Sequence, residues 1–146
     1  MKTLTLAAFI MAAAVFPSAA HDHATGVIKE RMDAMTSMAK RHKAIGERIK
    51  AKGDLTGVKA DAEAIATMAS HVVHLFPAGS MQPPTQARAA IWQSWADFEA
   101  KAKALETASK SLAETSSSDA AAMSTAAAAL TRACSDCHEK YRARRK

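Results

Sequence analysis

Glycine and proline are scarce in this chain, five and four among 146 residues. That excludes a turn-rich all-β fold, which needs far more punctuating residues. Aromatic residues make up only 5%, and β-branched residues are few beside Ala and Met, so the composition favours helices. Two cysteines are too few for a disulfide scaffold. Charge of one sign does not dominate: 20 Lys+Arg stand against 14 Asp+Glu, a formal net charge of +6. With 23% charged and 49% hydrophobic residues, the chain has the balance of a globular protein and not of a disordered one. Its length supports one domain.

No apolar run reaches the roughly 20 residues needed to span a bilayer. The longest, Leu4 to Phe16, follows Lys2 and precedes Ser18-Ala19-Ala20. A positive start, a short apolar stretch and small residues before a cleavage point describe a secretory signal peptide over residues 1–20. The mature domain is then residues 21–146. It is expected to be soluble and to reside in an oxidising exported space, a bacterial periplasm. Two cysteines there must be paired, bound to metal or consumed by a cofactor.

Four stretches carry apolar residues at steps of three and four, the signature of one helix face. They are Ile28/Met32/Met35/Ala39/His42/Ile49, Val58/Ala62/Ile65/Met68/Val72/Leu75, Ile91/Trp95/Phe98/Ala102/Leu105/Leu112 and Met123/Ala127/Leu130/Cys134/Cys137/Tyr141. The breaks fall at Lys52-Gly53-Asp54, Phe76-Pro77-Ala78-Gly79 with Pro83-Pro84-Thr85, and Thr115-Ser116-Ser117-Ser118-Asp119. The first suits a left-handed cap and the last offers a hydroxyl N-cap, with Asp119 near the positive end of the helix dipole. No strand pattern is visible. The expected fold is all-α, an antiparallel up-down-up-down four-helix bundle.

The chemistry lies in Cys134-Ser135-Asp136-Cys137-His138. This is the C-x-x-C-H attachment motif of c-type haem. Two thiols one helical turn apart match the two vinyl groups of the porphyrin, and the adjoining imidazole becomes the proximal iron ligand. Its chance occurrence in a chain with two cysteines is roughly one in a thousand. Three other readings carry less weight. A Cys134–Cys137 disulfide would close a strained loop within a helix. A thioredoxin-like pair follows a strand, and none is expected here. A zinc site lacks a second Cys/His cluster. One covalently bound haem c per chain is therefore expected.

A C-terminal C-x-x-C-H on the last of four helices resembles the class II cytochromes c, the cytochrome c′ family. The resemblance spans essentially the whole mature chain. It includes Val27-Ile28-Lys29-Glu30-Arg31-Met32-Asp33-Ala34-Met35, Leu75-Phe76-Pro77, Ile91-Trp92-Gln93-Ser94-Trp95-Ala96-Asp97-Phe98 and Cys134 to Arg142. In that family the residue on the distal side of the iron comes from the first helix. An apolar residue there leaves the iron five-coordinate and high-spin, and methionine gives a six-coordinate, low-spin electron carrier. Spacing from Arg31 puts Met35 at this position. Met32 and Met38 are rivals within one turn and His42 is a more distant one. A core-filling role is the competing reading of Met35.

The resemblance also implies that Arg31 approaches a haem propionate, against the alternative of a solvated arginine. The family often has Gln after that arginine, where this chain has Met32. Arg142, four residues after His138, is expected beside the proximal imidazole. The basic run Arg142-Ala143-Arg144-Arg145-Lys146 suits a redox partner with an acidic docking surface. Nucleic acid is not expected as a partner of an exported protein. Two bundles can pair as a homodimer through their first two helices, as many family members do. Trp92, Trp95 and Phe98 read as core, and His71 and His74 as surface. Cleavage after Ala20 would make His21-Asp22-His23 an amino-terminal copper site, with a disordered tail as the alternative.

The reading that follows is a periplasmic electron-transfer protein, not an enzyme. Its haem would be held by Cys134 and Cys137 and ligated by His138 and Met35. The alternative is a five-coordinate cytochrome c′ that binds nitric oxide or carbon monoxide.

Overall fold

A computed structural model describes residues 24–51, 55–115 and 117–144. The leader, His21-Asp22-His23, Lys52-Gly53-Asp54, Ser116 and Arg145-Lys146 lie outside the described residues. Helix α1 (Gly26–Ala51) and helix α2 (Thr56–His71) form the first antiparallel pair. A 3₁₀ turn, Val72–Leu75, extends α2. A loop then leads to the one-turn helix α3 (Ala90–Gln93), helix α4 (Trp95–Glu114) and helix α5 (Ala120–Tyr141). The four long helices make the expected bundle, with neighbours in the cyclic order α1, α2, α4, α5. Among the described residues no helix is long and apolar enough to cross a membrane.

The core sits where the apolar stripes converge. Ile45, Val58, Ile65, Ile91, Phe98, Leu112 and Leu130 are all fully enclosed. Burying side chains of this size is worth about 1.5–3 kcal/mol each, which makes their convergence the main force closing the bundle. Asp119 caps α5 directly, its carboxylate accepting from the Ala122 amide at 2.8 Å. The expected hydroxyl cap is thus replaced by the neighbouring carboxylate, which also faces the positive end of the dipole. Asp61 ties α2 to α1 by accepting from Arg41 at 2.8 Å, with Arg48 4.0 Å away.

The third stripe is not one helix. It breaks at Ser94, whose backbone leaves the helical region at φ −132 and ψ 51. No Gly or Pro marks this place. The contacts on either side hold it: the Trp92 indole donates to the Phe76 carbonyl at 3.0 Å, and Trp95 packs against the core. Trp92 and Trp95 are half-buried, so only Phe98 of the three aromatics is true core.

On α1 the inward face runs Ile28, Arg31, Met35, Met38, His42, Ile45 and Ile49, alternating steps of three and four. Arg31 and Met38 are buried. The expected positions Met32 and Ala39 are half-buried and exposed, respectively. The face is rotated because a charged residue occupies one of its core sites.

Candidate functional site

The site lies at the end of the bundle where the α2–α3 loop, the start of α1 and the end of α5 meet. Arg31 organises this end. It is 3% exposed, and its five N–H donors are all engaged. Nε donates to Leu75 O at 2.9 Å. Nη1 donates to Ser80 O and Thr85 Oγ1. Nη2 donates to Ser80 O and Ser80 Oγ. The guanidinium carbon stands 4.1 Å from the centre of the Phe76 ring, a cation–π contact that burial strengthens. Burial alone lowers the Arg31 pKa, without bringing it near neutrality. Arg31 is therefore not a solvated arginine; it clamps the loop. That loop turns at Gly79, whose φ of +79 suits glycine, and Ser80 N–H closes the turn on Pro77 O at 3.2 Å.

A second tie holds the end of α5. Arg88 N–H donates to Tyr141 O at 3.0 Å and Ala143 N–H to Gln86 O at 2.8 Å. These bonds flank an antiparallel bridge between Ala87 and Arg142. Arg142 is accordingly extended, just beyond the helix, and not on its face. Tyr141 is buried. Its hydroxyl contacts Ser94 O at 3.3 Å and Asp97 Oδ2 at 2.5 Å, and Lys140 Nζ reaches the same carboxylate at 3.0 Å. The bonds from Tyr141 and Lys140 hold the Asp97 carboxyl below its usual pKa. Sequence patterning missed Asp97 and Ser94 here because both partners are distant along the chain.

Between these ties sit the motif residues. Cys134 and Cys137 are free thiols on an unbroken helix, packed against the hydrophobic core. Burial pushes the Cys134 pKa up and carries that of Cys137 to about 11. Both are thus neutral thiols. His138 is half-buried. Burial, and then the Arg142 cation, lower its pKa. Its imidazole is accordingly neutral near pH 7 and keeps a lone pair for a metal. Among the described residues, no cluster of three or more His, Cys, Asp or Glu side chains could hold a metal ion, so the zinc reading finds no ligand set there. Two thiols facing apolar surroundings, followed by a neutral imidazole, fit the attachment of a haem.

The opposite wall is α1. It packs closely along α2 but meets α5 over only a short stretch. Across this gap His42 Nε2 lies 2.8 Å from Thr131 Oγ1. The two helices run antiparallel, so positions seven residues toward the start of α1 and seven toward the end of α5 are again level. Met35 therefore stands opposite the level of His138. His42 lies about 10 Å farther along the axis, at 1.5 Å per residue, and is occupied by Thr131. Met35 is half-buried on the inward face. Met38 is committed to the core, and Met32 lies off the inward face. At the same end, Val73, Phe76, Trp92 and Trp95 wall an apolar hollow of about 560 Å³, with His74 at its edge. His71 and His74 are exposed, as expected.

Residues 26–142 match the family model described as Cytochrome C′. Cytochrome c-556 of Agrobacterium fabrum is 30% identical over 148 residues, covering 99% of this chain and 97% of that protein. The solved cytochrome c′ of Rhodopseudomonas palustris superposes with a TM-score of 0.77 at 28% identity, over 84% of this chain and 100% of that one. A nitric oxide complex of a mutant cytochrome c prime from Alcaligenes xylosoxidans superposes with a TM-score of 0.72 at 25% identity, over 81% and 94%.

Proposed function

The chain belongs to the cytochrome c′ family, and from that premise we propose that it is an exported electron carrier with a His138/Met35-ligated haem. The cofactor is haem c, covalently bound as in that family. In this reading Cys134 and Cys137 supply the two thioether links. Their raised pKa values keep each sulfur protonated, so each thiol carries the hydrogen that adds with it across a vinyl double bond. When bound, the haem supplies a one-electron iron couple. His138, kept neutral by burial and by Arg142, offers its lone pair from the proximal side. Met35 offers a soft, uncharged thioether from the distal side, a donor that favours ferrous iron and raises the potential. The level placement of Met35 and His138 across the α1–α5 gap carries this assignment.

Residues 1–20 act as the export signal to the periplasm in this proposal, and residues 21–146 are the working domain. The basic end of α5, with Lys140, Arg142 and Arg144, would meet an acidic redox partner. Two copies would pair through α1 and α2.

The oxidised holoprotein tests the ligand. We expect a low-spin spectrum with a weak thioether-to-iron charge-transfer band. In Met35→Leu that band is lost and the iron becomes high-spin. A high-spin wild-type spectrum overturns Met35 ligation. It would support the second reading, a five-coordinate gas-binding protein in which Met35 only walls the distal face. The solved relatives favour that reading, since they are cytochromes c′ and one of them is a nitric oxide complex.

A further inference from the structure

The His42–Thr131 contact has no part in holding the haem or ligating its iron, yet it joins the two walls between which the cofactor of the preceding section would stand. It lies at the exposed edge of the α1–α5 gap, with a separation of 2.8 Å. The direction of the bond follows from counting protons. The Thr131 hydroxyl has one hydrogen and donates it to the Ala127 carbonyl at 3.0 Å. With that hydrogen so placed, the oxygen accepts from the ring in the tautomer that carries its proton on Nε2. The contact is thus a strut between the two helices.

Thr131 sits three residues before Cys134, and His42 seven after Met35. One bond therefore couples the turn that begins the attachment motif to the face that bears the distal residue. α1 is otherwise held mainly by α2 and by the Arg31 clamp. We propose that His42 is a positioning residue: its bond to Thr131 sets how closely the Met35 face of α1 stands over the haem carried by α5. This rests on the haem reading above, but not on whether Met35 is bonded to the iron. A closely held α1 strengthens a methionine bond if one forms, and crowds the distal face if none does. Loosening the strut eases access in both cases.

The test is the rate at which carbon monoxide binds the reduced holoprotein, measured in wild type, His42→Ala, His42→Gln, Thr131→Val, Thr131→Ser and the His42→Ala/Thr131→Val double variant. A single net hydrogen bond corresponds to a change of roughly three- to tenfold. His42→Ala and Thr131→Val should each raise the rate by about that factor. The double variant should match the larger single effect, because both substitutions remove one bond. His42→Gln keeps an amide donor and Thr131→Ser keeps the hydroxyl, so both should stay within about twofold of wild type. Unchanged or slower binding in both single variants, additive effects in the double variant, or a His42→Gln protein that behaves like His42→Ala overturns the proposal. The oxidised wild-type spectrum, recorded on the same preparation, judges Met35 ligation separately. A wild-type chain that carries no haem sinks both readings together.

Discussion

Replacing Arg31 by methionine removes a charge while keeping much of the side-chain volume, and it isolates what the clamp contributes. Four acceptors lose a donor: the carbonyls of Leu75 and Ser80, and the hydroxyls of Ser80 and Thr85. The two hydroxyls are partly compensated, since Ser80 Oγ still donates to Pro77 O at 2.8 Å and Thr85 Oγ1 still accepts from the Ala87 amide at 3.1 Å. The two carbonyls lose the main charged donor that served them. Each such loss costs about 1–3 kcal/mol, and the cation–π contact with Phe76 adds about 1 kcal/mol. The expected destabilisation is about 3–7 kcal/mol. Urea unfolding of the holoprotein, followed by helical circular dichroism, should show it as a lower midpoint with an unchanged slope. Arg31→Lys is the discriminating companion. A lysine keeps the charge, but its three donors on one nitrogen cannot reproduce the planar fork. The loop clamp predicts that Arg31→Lys loses most of the same stability. If Arg31→Lys were as stable as wild type, or if Arg31→Met lost less than about 1 kcal/mol, the clamp argument would fail and a simple charge contact would replace it.

Two further outcomes follow from the helix ends. Asp119→Ala removes the N-cap of α5 and should cost about 1 kcal/mol in the same unfolding assay, with Asp119→Asn recovering most of it. Asp97 has a folded-state pKa below its usual 3.8 because Tyr141 and Lys140 donate to it. Its contribution is therefore complete above that ordinary value and is lost as pH falls through the lower folded one. Thermal unfolding measured from pH 5 down to pH 2 should show a steeper loss of stability in wild type than in Asp97→Asn; parallel curves would remove Asp97 from the account.

The inward face of the last helix was legible in the sequence. Its spacing from Met123 to Tyr141 alternates four and three without error, and the attachment motif lies on that face. The first helix was legible in type but not in phase. Two registers one residue apart both collect methionines, and a hydrophobic pattern cannot choose the one whose core includes Arg31. Its burial depends on carbonyls 44 to 49 residues away. The break at Ser94 was invisible for the same kind of reason. No local breaker residue is present, and the indole-to-carbonyl bond from Trp92 to Phe76 is a tertiary contact. Glu106 shows the limit from the polar side. It is only 8% exposed on α4, made tolerable by Lys103 at 3.0 Å and Lys110 at 2.6 Å, and nothing in a periodic reading separates it from a solvated glutamate.

The short bridge that laces Ala87 to Arg142 changes how the chain would come apart. The last turn of a helix is ordinarily the first to fray, peeling residue by residue from its free end. Here that turn carries His138, and its exit is stitched to a loop that Arg31 grips from another side. Peeling is blocked unless the loop lifts as well. The segment bearing the motif therefore opens in one cooperative step with residues 75–88, or stays shut.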